Sequence, residues 1–219
     1  MKGNTQLTKL VLTGGIIAGP IYIIVGLAQI LTREGFDMTR HPLSMLSLGD
    51  LGWIQTANFI VTGLLVLLAA SALRRLAGTE KRLQQGAFFL GLYAICVLSA
   101  GIFATDPSLG FPPGTPNVYP ETFSWHGLIH FIAGQVAFIS IIVASFIYGK
   151  YFAVNQERKW ATFSRLTGSI YLVGIIAPIP AAAMMSTSGM AWASIFLYLA
   201  VVLGWAWLPA LIIGMHARV

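Results

Sequence analysis

Long apolar stretches separated by short polar segments form the dominant pattern of this chain. Four of them contain no charged residue and match the roughly 20 residues that a helix needs to cross a bilayer. They are residues 10–31, 51–73, 83–105 and 127–149. This pattern predicts helices that lie in lipid.

The last apolar stretch, residues 166–215, is also uncharged but is about twice as long as one span requires. A polar run at residues 186–189 favours a turn near its middle, so we expect two helices, 166–185 and 190–215. The chain as a whole is predicted to be all-α, a single domain over residues 1–219 that forms a six-transmembrane-helix bundle.

Composition supports a membrane location. Hydrophobic residues make up 57% of the chain and charged residues only 9%, against about 25% charged in a typical soluble domain. The lipid bilayer is therefore the predicted partner. Trp205 and Trp207 are expected in the interfacial belt at the inner end of the last helix. Cys96 is the only cysteine, which excludes a disulfide within the chain.

The basic residues divide unequally between the two sides of the predicted bundle. Eleven of the thirteen fall on the side that carries both termini, and only Arg33 and Arg40 fall on the other. The positive-inside rule assigns the first side to the cytoplasm, which predicts a multi-pass protein of the plasma (inner) membrane with cytoplasmic N- and C-termini. The net charge of +6 then follows from topology, and no nucleic-acid partner is expected.

Residues suited to chemistry collect on the predicted outer side. His126 and His130 head the fourth helix at i, i+4 spacing, which puts both imidazoles on one helix face about one turn apart. His41 lies in the first outer loop, just before a short helix expected from Pro42, and Asp106 follows the third helix. A small bundle can bring these groups together at one mouth.

We predict that His41, His126 and His130 are metal ligands. Three protein ligands with one open position are typical of catalytic zinc, so zinc is the favoured cofactor. Copper(I), which prefers thioether ligands, is a weaker alternative suggested by five methionines on the outer side. Haem is disfavoured because no other span carries a facing histidine.

Asp106, Ser44 and Ser124 are the predicted catalytic residues. Asp106 acts as a base or a fourth ligand, and the two serines orient ligands or substrate. The alternative is a network that only ties loops to helices, for example through an ion pair between Asp106 and Arg40. The loop at residues 107–123, which holds five of the ten prolines, is either a stiff lid over the site or a rigid connector.

Three stretches on the outer side resemble a prokaryotic membrane family defined as domain of unknown function number nine-nine-eight. They are RHPLSMLSLGDLGW at residues 40–53, TDPSLGFPPG at 105–114 and SWHGLIH at 124–130. The resemblance covers essentially the whole chain. It implies a six-helix protein of the bacterial or archaeal plasma membrane, and it implies no activity.

A looser likeness is to the CREST membrane hydrolases, which include the alkaline ceramidases. That likeness implies a zinc site built from a serine, an aspartate and three histidines, two of them in an HxxxH motif. Ser44 or Ser124, together with Asp106 and the three histidines, match these roles by residue type. CREST proteins have seven helices with the HxxxH in the last, whereas here the motif heads the fourth.

Three functions remain open from the sequence. The first is a metal-dependent hydrolase acting on a lipid or an amide at the outer leaflet. The second is a protein that binds or transports a small solute or ion, although no ionisable group stands at the middle of a span, where coupled transporters need one. The third is a non-catalytic assembly partner in the membrane.

Cysteine labelling in intact cells tests the predicted topology. In a Cys96→Ala background, Thr115→Cys is expected to react with a membrane-impermeant maleimide, because the positive-inside rule leaves its loop outside. The matched variant Thr79→Cys, in the basic connection between the second and third spans, is expected to react only after lysis. The reverse labelling pattern would contradict the topology.

Overall fold

The computed structural model describes residues 2–176 and 187–216. These residues form six α-helices and one short 3-10 helix, with no β-strand among them. The helices are α1 (Lys2–Thr32), α2 (Gly52–Leu76), α3 (Lys81–Ile102), α4 (Trp125–Val154), α5 (Arg158–Ile176) and α6 (Thr187–His216), and the 3-10 helix (Leu43–Ser47) lies between α1 and α2.

The all-α prediction is confirmed, and five of the predicted spans correspond to helices that are long and apolar enough to cross a membrane. These five helices are α1, α2, α3, α4 and α6. The predicted span 166–185 is tested only as far as Ile176, where the described part of α5 ends. The turn expected at 186–189 is partly wrong, because residues 187–189 form the first turn of α6, while residue 186 lies outside the described residues.

The six helices form a closed ring. Each helix packs against the next one in the chain, and α6 packs against α1 as well as against α5. Many of the buried side chains inside the ring are alanines, so neighbouring helices can approach closely. Helix association in lipid depends on such close packing, since lipid tails are as apolar as the side chains themselves.

The contact between α1 and α6 closes the ring at Gly19. A Cβ atom at this position would collide with the carbonyl oxygen of Trp205 and lie 2.7 Å from Cγ of Pro209. Pro209 has no N–H, so the carbonyl of Trp205, four residues earlier, lacks its helical donor. The Cα–H of Gly19 approaches this oxygen, which a glycine alone permits.

The two ends of the ring differ. One end, called here the loop end, carries the 3-10 helix and residues 103–124. Gly15 of α1 packs on Ala69, late in α2, and Gly214 of α6 lies next to Trp160, early in α5. The described beginning of α1 and the described end of α6 therefore lie together at the opposite end. Which end faces the cytoplasm stays a prediction.

The expected interfacial position of Trp205 and Trp207 is wrong. Their exposed fractions are 1% and 0%, and both side chains lie inside the ring. The indole of Trp205 stacks on Tyr22 with ring centroids 4.1 Å apart. Trp207 donates its Nε1–H to Oγ of Ser164 at 3.0 Å, which satisfies the one polar atom of the indole.

Candidate functional site

His126 and His130 contact the two residues that directly follow α3. A helix leaves its last carbonyl groups without helical donors, and the chain turns away after α3 at Phe103. Nδ1 of His130 donates to the carbonyl of Phe103 at 2.7 Å, and Nδ1 of His126 lies 3.2 Å from the carbonyl of Ala104. The i, i+4 spacing therefore places both rings on the face of α4 that covers the end of α3.

Asp106 and Ser124 provide hydrogen-bond partners at the start of α4, where Ser124 is the N-cap. The carboxylate of Asp106 accepts from the backbone N–H of Ser124 at 3.0 Å and from its hydroxyl group. A negative charge is favoured at this position by the partial positive charge of the helix N-terminus. Only glycine fits at Gly127, because a Cβ there would collide with the Asp106 carboxylate.

The hydroxyl group of Ser124 has its hydrogen-bonding capacity filled. It donates to Asp106, accepts from the backbone N–H of Gly127 at 3.0 Å and lies 2.9 Å from Nδ1 of His126. The serine thus stands between the acid and the histidine. A serine nucleophile needs the reverse order, with the histidine between the serine and the acid. We call Asp106, Ser124, His126 and His130 the α3–α4 junction.

His41 joins two loops and a helix. Its exposed fraction is 2%. Nδ1 accepts from the backbone N–H of Asp37 at 2.9 Å, so the neutral ring carries its proton on Nε2, which donates to the carbonyl of Leu109 at 3.0 Å. The backbone carbonyl of His41 accepts from the hydroxyl of Tyr198 at 2.6 Å. Both ring nitrogens are therefore engaged.

The predicted metal centre does not assemble. Among residues 2–176 and 187–216, no group of three His, Cys, Asp or Glu side chains is arranged so that it could hold a metal ion. His41 is turned toward Leu109, whereas His126 and His130 are turned toward the end of α3. The physical reason is that all three imidazoles satisfy backbone groups, which the sequence pattern does not display.

The two basic residues of the loop end hold the loops in place. Arg40 donates to Asn117, so the suggested pairing of Arg40 with Asp106 is wrong. Arg33 donates to the carbonyl groups of Leu46, at 2.9 Å, and Leu48, and its guanidinium lies 5.4 Å from the ring centre of Phe111. Partial burial lowers the pKa of Arg33 from its ordinary value, and the charge of Asp50 opposes that shift.

A cavity of about 280 Å³ lies inside the helix ring, toward the loop end. Each of the six described helices contributes an aromatic residue to its wall: Tyr22, Phe59, Tyr93, Phe138, Tyr171 and Trp205. The residues Pro42, Leu43 and Ser44, at the start of the 3-10 helix, also line it. The short helix expected from Pro42 thus covers the cavity at the loop end.

The cavity lining is mostly apolar and carries no full charge. No Lys, Arg, Asp or Glu occurs among the described residues that line it. Polar side chains other than tyrosine come from Ser44, Thr105, His130 and Gln135. Because Nδ1 of His130 donates to a backbone carbonyl, the neutral ring has Nε2 as a hydrogen-bond acceptor.

The sequence model of the family described as protein of unknown function (DUF998) matches residues 16–214. The chain belongs to this family. No match was found among curated proteins or among solved structures. Membership in the DUF998 family confirms the first resemblance and brings no activity with it, so the function of this DUF998 protein has to be argued from its cavity.

The six predicted site residues of this DUF998 protein separate into three places. Ser44 lines the cavity, and His130 both lines the cavity and belongs to the α3–α4 junction. Asp106, Ser124 and His126 are the rest of that junction, and His41 lies apart at its contact with Leu109. A catalytic role for Asp106 or Ser124 stays a prediction.

Sequence reasoning missed the aromatic wall, although a signal was present. Tyr22, Tyr93 and Tyr171 each stand within an apolar stretch, and a buried tyrosine hydroxyl needs a polar partner.

A serine variant tests the capping role of the junction. Ser124→Ala is expected to destabilise the protein by about 0.5–2 kcal/mol, because α4 loses its N-cap and Asp106 loses a donor. The control Ser71→Ala removes an exposed hydroxyl that bonds only to the carbonyl of Leu68, and it should stay within about 0.5 kcal/mol of the wild type. Denaturant unfolding in detergent micelles measures both. Equal stability of the two variants would contradict the capping role.

Proposed function

We propose that this DUF998 protein binds an uncharged, largely apolar small molecule in its aromatic cavity. The observation that carries the proposal is a space of about 280 Å³ inside the helix ring, lined by an aromatic residue from each of the six described helices. Ligand sites are concave and mostly apolar, with a few placed polar groups. A charged ligand would lose its hydration in this cavity without a compensating charge.

The placement of the polar side chains indicates how the ligand lies. His130 and Ser44 stand at the loop end, where a hydroxyl or carbonyl head group can hydrogen-bond to them. The rings of Tyr93, Tyr171 and Trp205 supply flat apolar surface for the remainder. An amphiphile with one neutral polar head fits this division.

The ligand can enter from the surrounding lipid on the α4 side. Phe123 and Phe131 line the cavity, yet their exposed fractions are 55% and 49%. A single layer of side chains therefore separates cavity and lipid there. Movement of two phenylalanine rings is a small rearrangement compared with separating helices.

A substitution at Gly134 of α4 tests the proposal. Gly134 lines the cavity, and a Cβ atom added there would meet no other atom within 4 Å. Gly134→Leu should therefore fill part of the cavity without displacing the backbone. We expect it to weaken binding of the uncharged fluorophore 1-aminoanthracene at least about tenfold, which corresponds to about 1.4 kcal/mol. Fluorescence titration in nanodiscs, corrected with empty nanodiscs, measures the affinity.

Gly134→Ala is the matched control. It adds one methyl group and, like the leucine variant, removes a helical glycine, so both changes favour the helix. Its affinity for 1-aminoanthracene is expected within about threefold of wild type, which is less than about 0.7 kcal/mol. If the leucine variant binds the fluorophore as tightly as the alanine variant, the cavity is not the binding site and the proposal fails.

A hydrolase is a second candidate, favoured by the presence of Ser44 and His130 in the same cavity wall. In such an enzyme the hydroxyl of Ser44 attacks the carbonyl carbon of an ester or amide, and Nε2 of His130 takes the hydroxyl proton. The C–O or C–N bond of the substrate then breaks, and the proton passes from His130 to the leaving alcohol or amine. Water hydrolyses the acyl-serine, which releases the acid and restores Ser44. Ser44 is the favoured nucleophile over Ser124, because the hydroxyl of Ser124 donates its proton to Asp106.

An uncharged alkyl fluorophosphonate distinguishes the hydrolase from a binding protein. For the hydrolase, it should label the wild type and Ser47→Ala but not Ser44→Ala, because only an activated serine reacts. Ser47 is a suitable control since its hydroxyl donates to the carbonyl of Ser44 at 2.7 Å and it is not a cavity-lining residue. Absence of serine labelling in folded wild-type protein would remove the serine hydrolase and leave the binding function.

A further inference from the structure

Three amide side chains form a buried cluster between α1 and α2, and none of them is a cavity-lining residue. Gln29, Gln55 and Asn58 have exposed fractions of 4%, 0% and 4%. Oε1 of Gln55 accepts from Nε2 of Gln29 at 2.8 Å and from Nδ2 of Asn58 at 3.3 Å. The amide of Gln55 is therefore the centre of the cluster.

Backbone carbonyl groups fix which way the outer two amides point. Nε2 of Gln29 also donates to the carbonyl of Val25 at 3.3 Å, and Nδ2 of Asn58 donates to the carbonyl of Tyr22 at 3.3 Å. Exchanging oxygen and nitrogen in either amide would set an oxygen against a carbonyl oxygen. With these two orientations fixed, Gln55 has to present its oxygen to them.

In this arrangement one polar atom of each amide has no hydrogen-bond partner among the described residues. Oε1 of Gln29, Nε2 of Gln55 and Oδ1 of Asn58 are inaccessible and have no hydrogen-bond partner among the described residues. The hydroxyl of Tyr22 lies close enough to the Gln55 amide to interact with it electrostatically, but Nε2 has no partner at hydrogen-bond geometry among the described residues. Unpartnered polar groups are costly in a protein interior and more so in lipid, where no solvent can reach them.

We propose that the amide cluster binds a single water molecule. The three remaining atoms are two acceptors and one donor, and a water molecule offers two donors and at least one acceptor. A cation would be repelled by the N–H of Gln55, an anion by the two amide oxygens, and an alcohol has only one proton to donate. Three hydrogen bonds are the usual number for a buried water.

The water has a structural consequence for α1. Asn58 holds the carbonyl of Tyr22, and the Tyr22 ring stacks on Trp205 in the cavity wall. The hydrated cluster thus fixes how far α1 is shifted along α2. It thereby also fixes the position of Tyr22 in the cavity wall. The water site stands without the binding function proposed for the cavity, since no atom of the three amides lines that cavity.

Water-edited solid-state NMR of the full chain in lipid bilayers tests this site. The chain is labelled with carbon-13 and nitrogen-15, and the Gln55 side-chain amide is assigned in the wild type from sequential carbon–nitrogen correlations. The Gln55 side-chain amide is expected to receive magnetisation from water at least fivefold more strongly than Nε1–H of Trp207. Trp207 is the dry control, because it is fully buried and bonded to Ser164.

The surface residue Gln156 provides the wet control in the same spectrum. A Gln55 amide as dry as Trp207 would overturn the proposal, and this result needs no variant to fold. Where Gln55→Met folds, the magnetisation transfer from water to the Asn58 amide should fall to the Trp207 level. Undiminished transfer at Asn58 in that variant would also overturn it.

Discussion

The close approach of α1 to the free carbonyl of Trp205 is the contact on which the other features depend. Five of the helix pairs are neighbours along the chain. The sixth pair, α1 with α6, joins the two ends of the sequence, and it forms because Gly19 has no side chain and Pro209 frees an oxygen for it. Without this contact the helices would make an open row with no enclosed interior.

Ring closure then decides what surrounds the cavity. Trp205 lies at the contact with α1. Its indole stacks on the ring of Tyr22 with ring centroids 4.1 Å apart, and the centroid of the Tyr93 ring lies 5.7 Å away. The large rings keep the helices apart at this level, whereas alanines fill the closely packed parts of the core. A space of about 280 Å³ remains between them, and the 3-10 helix covers it at the loop end.

Polar groups at the loop end are turned toward backbone atoms. His130 binds the carbonyl of Phe103, His41 that of Leu109, and Arg33 those of Leu46 and Leu48. Lipid offers no hydrogen bonds. Carbonyl groups at the end of a helix, or in a loop that enters the bundle, therefore need donors from side chains. This demand explains why the histidines at the loop end contact backbone groups and why, among the described residues, they do not group into a metal centre.

The sequence by itself determined the membrane environment, the all-α class, five of the spans and the family, because apolar length and charge are local properties of the chain. It also placed the polar residues at one end and gave His126 and His130 a common helix face. Only the tertiary structure decided what those residues contact, since their partners are backbone carbonyls, which no side-chain pattern reveals. The aromatic wall likewise depends on α1 meeting α6, a contact between residues almost two hundred positions apart in sequence.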